Sequence, residues 1–132
     1  MSETKVPDDR WYTKSHEWVR VDGDTATVGV TDHAQAELTD IVFVDLPAAG
    51  KLLTKDASTM VLESVKTVAD VYAPANGSIV EANAELTKHP ELVNQDPYGR
   101  GWLFRMKLAA AADPKEYLTA EAYRAEIAGG HA

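Results

Sequence analysis

The chain has 132 residues and no cysteine. That excludes a disulfide framework, a thiolate nucleophile and a cysteine metal cluster, so any redox chemistry must arrive on an added group. Basic residues are few: 13 Lys and Arg stand against 21 Asp and Glu, a formal net charge of −8. Non-specific nucleic-acid binding needs a basic surface, so a nucleic-acid partner is not expected. No apolar run approaches the roughly 20 residues of a membrane span. The first ten residues carry Glu3, Asp8 and Asp9 and lack an apolar core, unlike a transit peptide or secretory signal. The expectation is a cytoplasmic protein with no membrane partner. At this length, with 45% hydrophobic residues, one domain with one core is expected. Residues 1–10, polar with one proline, read as a flexible segment, and residues 11–132 as the single domain.

What the chain does have is Met60-Val-Leu-Glu-Ser-Val-Lys-Thr-Val-Ala-Asp-Val-Tyr-Ala-Pro74. Val61, Val65, Val68 and Val71 favour extended backbone, and Lys66 stands between the two apolar runs. The spacing predicts a hairpin with the lysine at or near its tip. Surface lysine is the ordinary state of this residue, and many strand-edge lysines only discourage aggregation. A lysine that another enzyme must acylate needs the same posture, with a free ε-amine on a rigid support.

Elsewhere the pattern is of short strands with turns between them. Glu17–Val21 and Ala26–Val30 flank Asp22-Gly23-Asp24, a hairpin signal. Thr31 and Asp32 can cap a short helix carrying Ala34 and Leu38 on one face, with Gln35 three residues beyond Asp32. Ile41–Leu46 is a strand stopped by Pro47. Further strands are expected at 59–62, 67–72, 78–82 and 102–108, with Asn76-Gly77 as a turn between two of them. Pro90–Val93 reads as one helical turn and Asp96–Gly99 as a loop. Asp113-Pro-Lys-Glu116 has the form of a capping box. A second start at Thr119 leads into a helix over 121–127, with Tyr123 and Ile127 on one face and Gly129-Gly130 as the stop. The fold expected is mainly β: antiparallel sheets in a sandwich or flattened barrel, with short peripheral helices and a C-terminal helix.

Glu63-Ser-Val-Lys66, followed by Ala69-Asp-Val71 and Ala73-Pro74, resembles the lipoyl-attachment site of the glycine cleavage H-protein family. Tyr12–Val19, Val28–Gln35 with Asp40–Pro47, and Glu91–Gly99 with Gly101–Phe104 are similar to the family's other motifs, in family order. The resemblance implies a lipoyl-type fold and a non-enzymatic carrier with lipoic acid in amide linkage to Lys66. Such a carrier moves an aminomethyl group from a pyridoxal-phosphate glycine decarboxylase to a tetrahydrofolate-dependent aminomethyltransferase. A dihydrolipoamide dehydrogenase then reoxidises the arm, and a lipoylating enzyme installs it. The chemistry belongs to these partners, and the carrier itself is expected to be monomeric. Ser15, Glu17 and Asp70 match positions that help form a cleft for the cationic arm. Glu63 and Ser64 match positions that shape the hairpin or present it to the lipoylating enzyme.

Thr39, Asp56 and Met60 stand where the family commonly has glycine, which matters only where the backbone needs a positive φ. Glu37 occupies a helix position where some members carry a histidine near the arm, so that contact is not transferred. A biotin carrier would favour methionines beside the lysine, where Val65 and Thr67 stand. A 2-oxo acid dehydrogenase module has an Asp-Lys-Ala core within a longer chain. A lipoyl donor to other proteins is a third reading that these residues leave open. His16, His33, His89 and His131 show no helical pair with metal-ligand spacing. Ser15-His16-Glu17 has triad residue types, but strand neighbours point to opposite faces. Trp11, Tyr12, Trp18, Phe43 and Trp102 read as core or rim aromatics.

Overall fold

The computed structural model describes residues 4–129. In chain order its strands are β1 (Trp11–Tyr12), β2 (Glu17–Asp22), β3 (Thr25–Val30), β4 (Ile41–Asp45), β5 (Leu52–Leu53), β6 (Ser58–Ser64), β7 (Val68–Tyr72), β8 (Gly77–Ala82) and β9 (Phe104–Leu108). The helices are α1 (Asp32–Leu38), α2 (Glu85–Lys88), α3 (Leu92–Gln95) and α4 (Ala120–Ala128). The strands form two antiparallel sheets, ordered β1-β2-β3-β9-β8-β5 and β4-β6-β7. This is the sandwich of the sequence reading. Each sheet keeps two edge strands, so the barrel alternative does not apply.

Alternation along the strands explains the layering. In the smaller sheet the register aligns Val44, Leu62 and Ala69 in one row, between the rows Phe43–Glu63–Val68 and Asp45–Val61–Asp70. Val44 and Leu62 point into a core that also receives Val19, Val28 and Val30 from the larger sheet. A one-residue slip of β6 would turn Leu62 out to water. Truncating this fully buried leucine to alanine costs about 2–5 kcal/mol.

A second cluster joins Val6, Tyr12, Trp18, Ala120 and Tyr123. It docks α4 beside β1, with the Tyr12 and Tyr123 rings stacked at 4.8 Å. Thr119 caps α4 by accepting the Ala122 amide, and Ile127 packs on the same cluster as Tyr123. The described part of the N-terminal segment packs beside this cluster. Val6 is buried, Tyr12 Oη donates to the Pro7 carbonyl at 2.5 Å, and Arg124 donates to the Val6 carbonyl at 2.7 Å. Residues 1–3, Gly130 and His131 lie outside the described residues.

Two turn readings need correction. Asn76-Gly77 is not a hairpin turn, because the chain there leaves the smaller sheet at β7 and enters the larger at β8. Gly77 is needed for contact rather than for turning: a Cβ there would lie 2.0 Å from the Lys107 carbonyl oxygen. Asp113 does accept the Lys115 amide, but the turn is a short 3-10 helix over Pro114–Glu116. Glu116 pairs with Lys55 rather than closing a capping box.

Candidate functional site

Lys66 sits in the turn between β6 and β7, exposed, with Val65 and Val68 also exposed beside it. Ser64 builds that turn. Its amide donates to the Thr67 carbonyl at 2.8 Å, and its Oγ accepts the amides of Lys66 and Thr67 at 3.3 and 3.1 Å. A serine suits this job because its short hydroxyl reaches backbone groups two and three residues on. The Val65 amide donates to the Asp40 carbonyl at 3.0 Å, fastening the tip to the start of β4. Glu63, half-buried, lies between Phe43 and Val68 in the cross-strand register, one residue from the turn.

A cleft of about 320 Å³ opens between β2, α1 and β7. Val30, Leu38, Leu62 and Ala69 give it apolar walls, and Ser15, Glu17 and Asp70 all line it. Fifty-five residues of sequence separate Glu17 from the Tyr72 amide, which donates to Glu17 Oε2 at 3.2 Å. Glu17 Oε1 accepts the hydroxyls of Thr13 and Ser15 at 2.5 and 2.6 Å. The carboxylate is only 2% exposed, so it is not a solvated edge charge. Burial pushes its pKa up, against the hydroxyls of Ser15 and Thr13, which pull it down. Asp70 is exposed at the rim, where Ser58 Oγ donates to its Oδ1 at 2.7 Å.

His16 does not join Ser15 and Glu17 in a relay. Its backbone adopts φ 70°, and its Nδ1 lies 2.7 Å from Tyr123 Oη, which also meets Thr31 Oγ1 at 2.7 Å. The fold does bring His16 to His33, with ring centroids 4.7 Å apart, and both line the cleft. Helical spacing could not show this pair, since one histidine precedes β2 and the other lies on α1. Among the described residues, no three His, Cys, Asp or Glu are placed to hold a metal ion. Glu37, set aside on sequence, also lines the cleft, with Oε1 3.6 Å from His33 Nε2.

These residues fit a flexible acyl arm ending in a cation. The walls suit a hydrocarbon chain, and the carboxylates of Glu17, Glu37 and Asp70 suit the charge. Asp70 is four residues along the chain from Lys66, at most about 14 Å even for a fully extended chain.

The sequence profile of the glycine cleavage H-protein matches residues 10–129. The chain is 54% identical over 119 residues to the glycine cleavage system H protein of Thermus thermophilus, covering 90% of this chain and 93% of that one. It is 50% identical over 123 residues to the H protein of Bacteroides thetaiotaomicron, covering 93% and 98%. The crystal structure of the H protein of Mycobacterium marinum superposes with a TM-score of 0.85 at 39% identity, covering 93% of this chain and 99% of that one.

The chain belongs to the glycine cleavage H-protein family. It is therefore a lipoyl-carrying shuttle of the glycine cleavage system, a carrier subunit and not itself a catalyst. Two of its departures from the family's usual glycines fall at positions of positive φ. Thr39 holds φ 63° and ψ −152°, and Asp56 holds φ 69°, so both carry side chains where the backbone favours glycine. Met60 differs. It is a buried strand residue beside a bulge, without a positive φ, and it contributes its side chain to the core.

Proposed function

We propose that Lys66 is the lipoyl-bearing residue of this H protein and that the β2–α1–β7 cleft shelters the far end of the arm. The observation that carries this reading is the placement of an exposed lysine at a braced hairpin tip, on the same β6–β7 unit that supplies Asp70 and Leu62 to the cleft. Attachment requires the neutral ε-amine of Lys66 to attack an activated lipoyl carboxyl carbon. An amide forms, the activating group leaves with its electron pair, and the amine loses a proton to solvent. When bound, the lipoyl group supplies a disulfide that accepts the aminomethyl group and two electrons.

This chain's residues then have separable tasks. Ser64 and Glu63 hold and flank the turn that the lipoylating enzyme reads. Leu62, Ala69 and Val30 exclude water from the apolar stretch of the cleft. Asp70 and Glu37 attract a cation at the rim. Glu17, fixed by Ser15, Thr13 and Tyr72, places a carboxylate at the buried end. The partners are the pyridoxal-phosphate glycine decarboxylase, the tetrahydrofolate-dependent aminomethyltransferase, the dihydrolipoamide dehydrogenase and the lipoylating enzyme. The setting is the cytoplasm and the carrier is a monomer.

Reconstitution tests this. The lipoylated chain, added to the three partner enzymes with glycine, tetrahydrofolate and NAD, should support steady NADH formation. Lys66→Arg taken through the same lipoylation should support none. NADH formation by the arginine variant at the wild-type rate would rule Lys66 out.

A further inference from the structure

The segment Glu91–Gly99 lines no part of the cleft, yet one of its side chains reaches the support of the modification hairpin. The Val65 amide, next to Lys66, donates to the Asp40 carbonyl. Asp40 lies between Thr39, the C-cap of α1, and Ile41, the first residue of β4. Asn94 on α3 grips both of those neighbours. Its Oδ1 accepts the Ile41 amide at 2.9 Å, and its Nδ2 donates to the Thr39 carbonyl at 2.8 Å and to Gln35 Oε1 at 3.0 Å. One planar amide, with an acceptor at one end and two donors at the other, meets all three partners. The peptide it clamps is also strained. Thr39 occupies a conformation almost confined to glycine, and such a residue persists only where its surroundings over-determine it.

We infer that Asn94 is a positioning residue for the acylation of Lys66. By fixing Thr39 and Ile41 it aims the Asp40 carbonyl at Val65, and so holds the hairpin tip in the posture that an acylating enzyme binds. No hydrogen bond joins Lys66 to Asn94; the link runs through the backbone of residues 39–41 and 65. This inference rests on Lys66 being the acceptor. A tip already ordered binds without the cost of ordering it, so loosening the clamp should raise KM more than it lowers kcat.

Asn94→Asp keeps the acceptor for Ile41 but loses both donors and sets a carboxylate against the Thr39 carbonyl. Asn94→Ala loses all three bonds. Ile127→Ala, which trims the second cluster on the far helix, serves as a variant destabilised away from the hairpin. The full-length apo chain of each is acylated by a lipoate ligase with lipoate and ATP, well below its melting temperature. Amide exchange at Val65 is read beside amides of β2 and β3.

Both Asn94 variants should lose about tenfold in kcat/KM, mostly in KM, with Val65 exchanging about tenfold faster than in the wild type. Ile127→Ala should change neither. Asn94 variants that are acylated like the wild type, or that lose rate only as Ile127→Ala does, overturn the inference while leaving the acceptor assignment standing. Acylation that survives in Lys66→Arg overturns both.

Discussion

Glu17 Oε2 accepts the Tyr72 amide at 3.2 Å, so a carboxylate on the first residue of β2 holds the last residue of β7 across the gap between the two sheets. The same group that offers negative charge to the cleft is thus part of the frame that shapes it.

That dual role has a pH signature. Burial raises the Glu17 carboxyl above its ordinary value of 4.5, so the folded chain holds this proton to higher pH than the unfolded chain does. The stability it contributes is fully present below the unfolded value and is lost as pH rises through the raised folded value. Glu17→Gln removes the titration and keeps an acceptor. Urea midpoints at pH 5 and pH 8 should therefore show the wild type losing ground to the glutamine variant at the higher pH. An unchanged difference between the two proteins would contradict this. Glu17→Ala should cost about 2 kcal/mol, because the Thr13 and Ser15 hydroxyls and the Tyr72 amide lose their shared acceptor.

Thr39 and Asp56 should respond differently to replacement by glycine. The strain on a β-branched residue at φ 63° and ψ −152° is about 1–3 kcal/mol, and glycine returns part of that gain through greater freedom when unfolded. Thr39→Gly should stabilise the chain by about 1 kcal/mol. Aspartate tolerates positive φ far better, so Asp56→Gly should move the urea midpoint little. A destabilised Thr39→Gly would mean that the threonine makes a compensating contact.

The sequence was legible where a pattern is local. The β6–β7 hairpin followed from closely spaced valines around Lys66, the β2–β3 hairpin from Asp22-Gly23-Asp24, and α4 from Thr119 and the Tyr123–Ile127 spacing. The two-residue strands β1 and β5 are too short to show any period. Asn76-Gly77 has hairpin chemistry, but nothing local reveals that β7 and β8 belong to different sheets. The cleft was legible only through family resemblance, since Ser15, Glu17, His33, Glu37 and Asp70 come from segments far apart in sequence. His33 and Glu37 were missed for that reason. The four-residue spacing that pairs them on α1 is a visible signal, but it says nothing of the cleft they face.

Gly29 sets the packing of Trp18 in the second cluster, on the face of β3 opposite the cleft-lining Val30. A Cβ there would lie 2.6 Å from the indole of Trp18, whose Nε1 donates to the Pro97 carbonyl at 3.0 Å. The indole cannot retreat without giving up that bond. Gly29→Ala should cost about 2–3 kcal/mol by overpacking, seen as a lower urea midpoint with an unchanged slope. A neutral substitution would show that Trp18 moves freely.

Intact mass reads the state of Lys66 most directly. The protein is purified from its own cells beside a Lys66→Arg variant, and each is weighed whole. The wild type should be heavier by one lipoyl group and the arginine variant should show no increment. A lipoyl increment retained in Lys66→Arg, or a wild type left unmodified in cells that lipoylate other carriers, would contradict it.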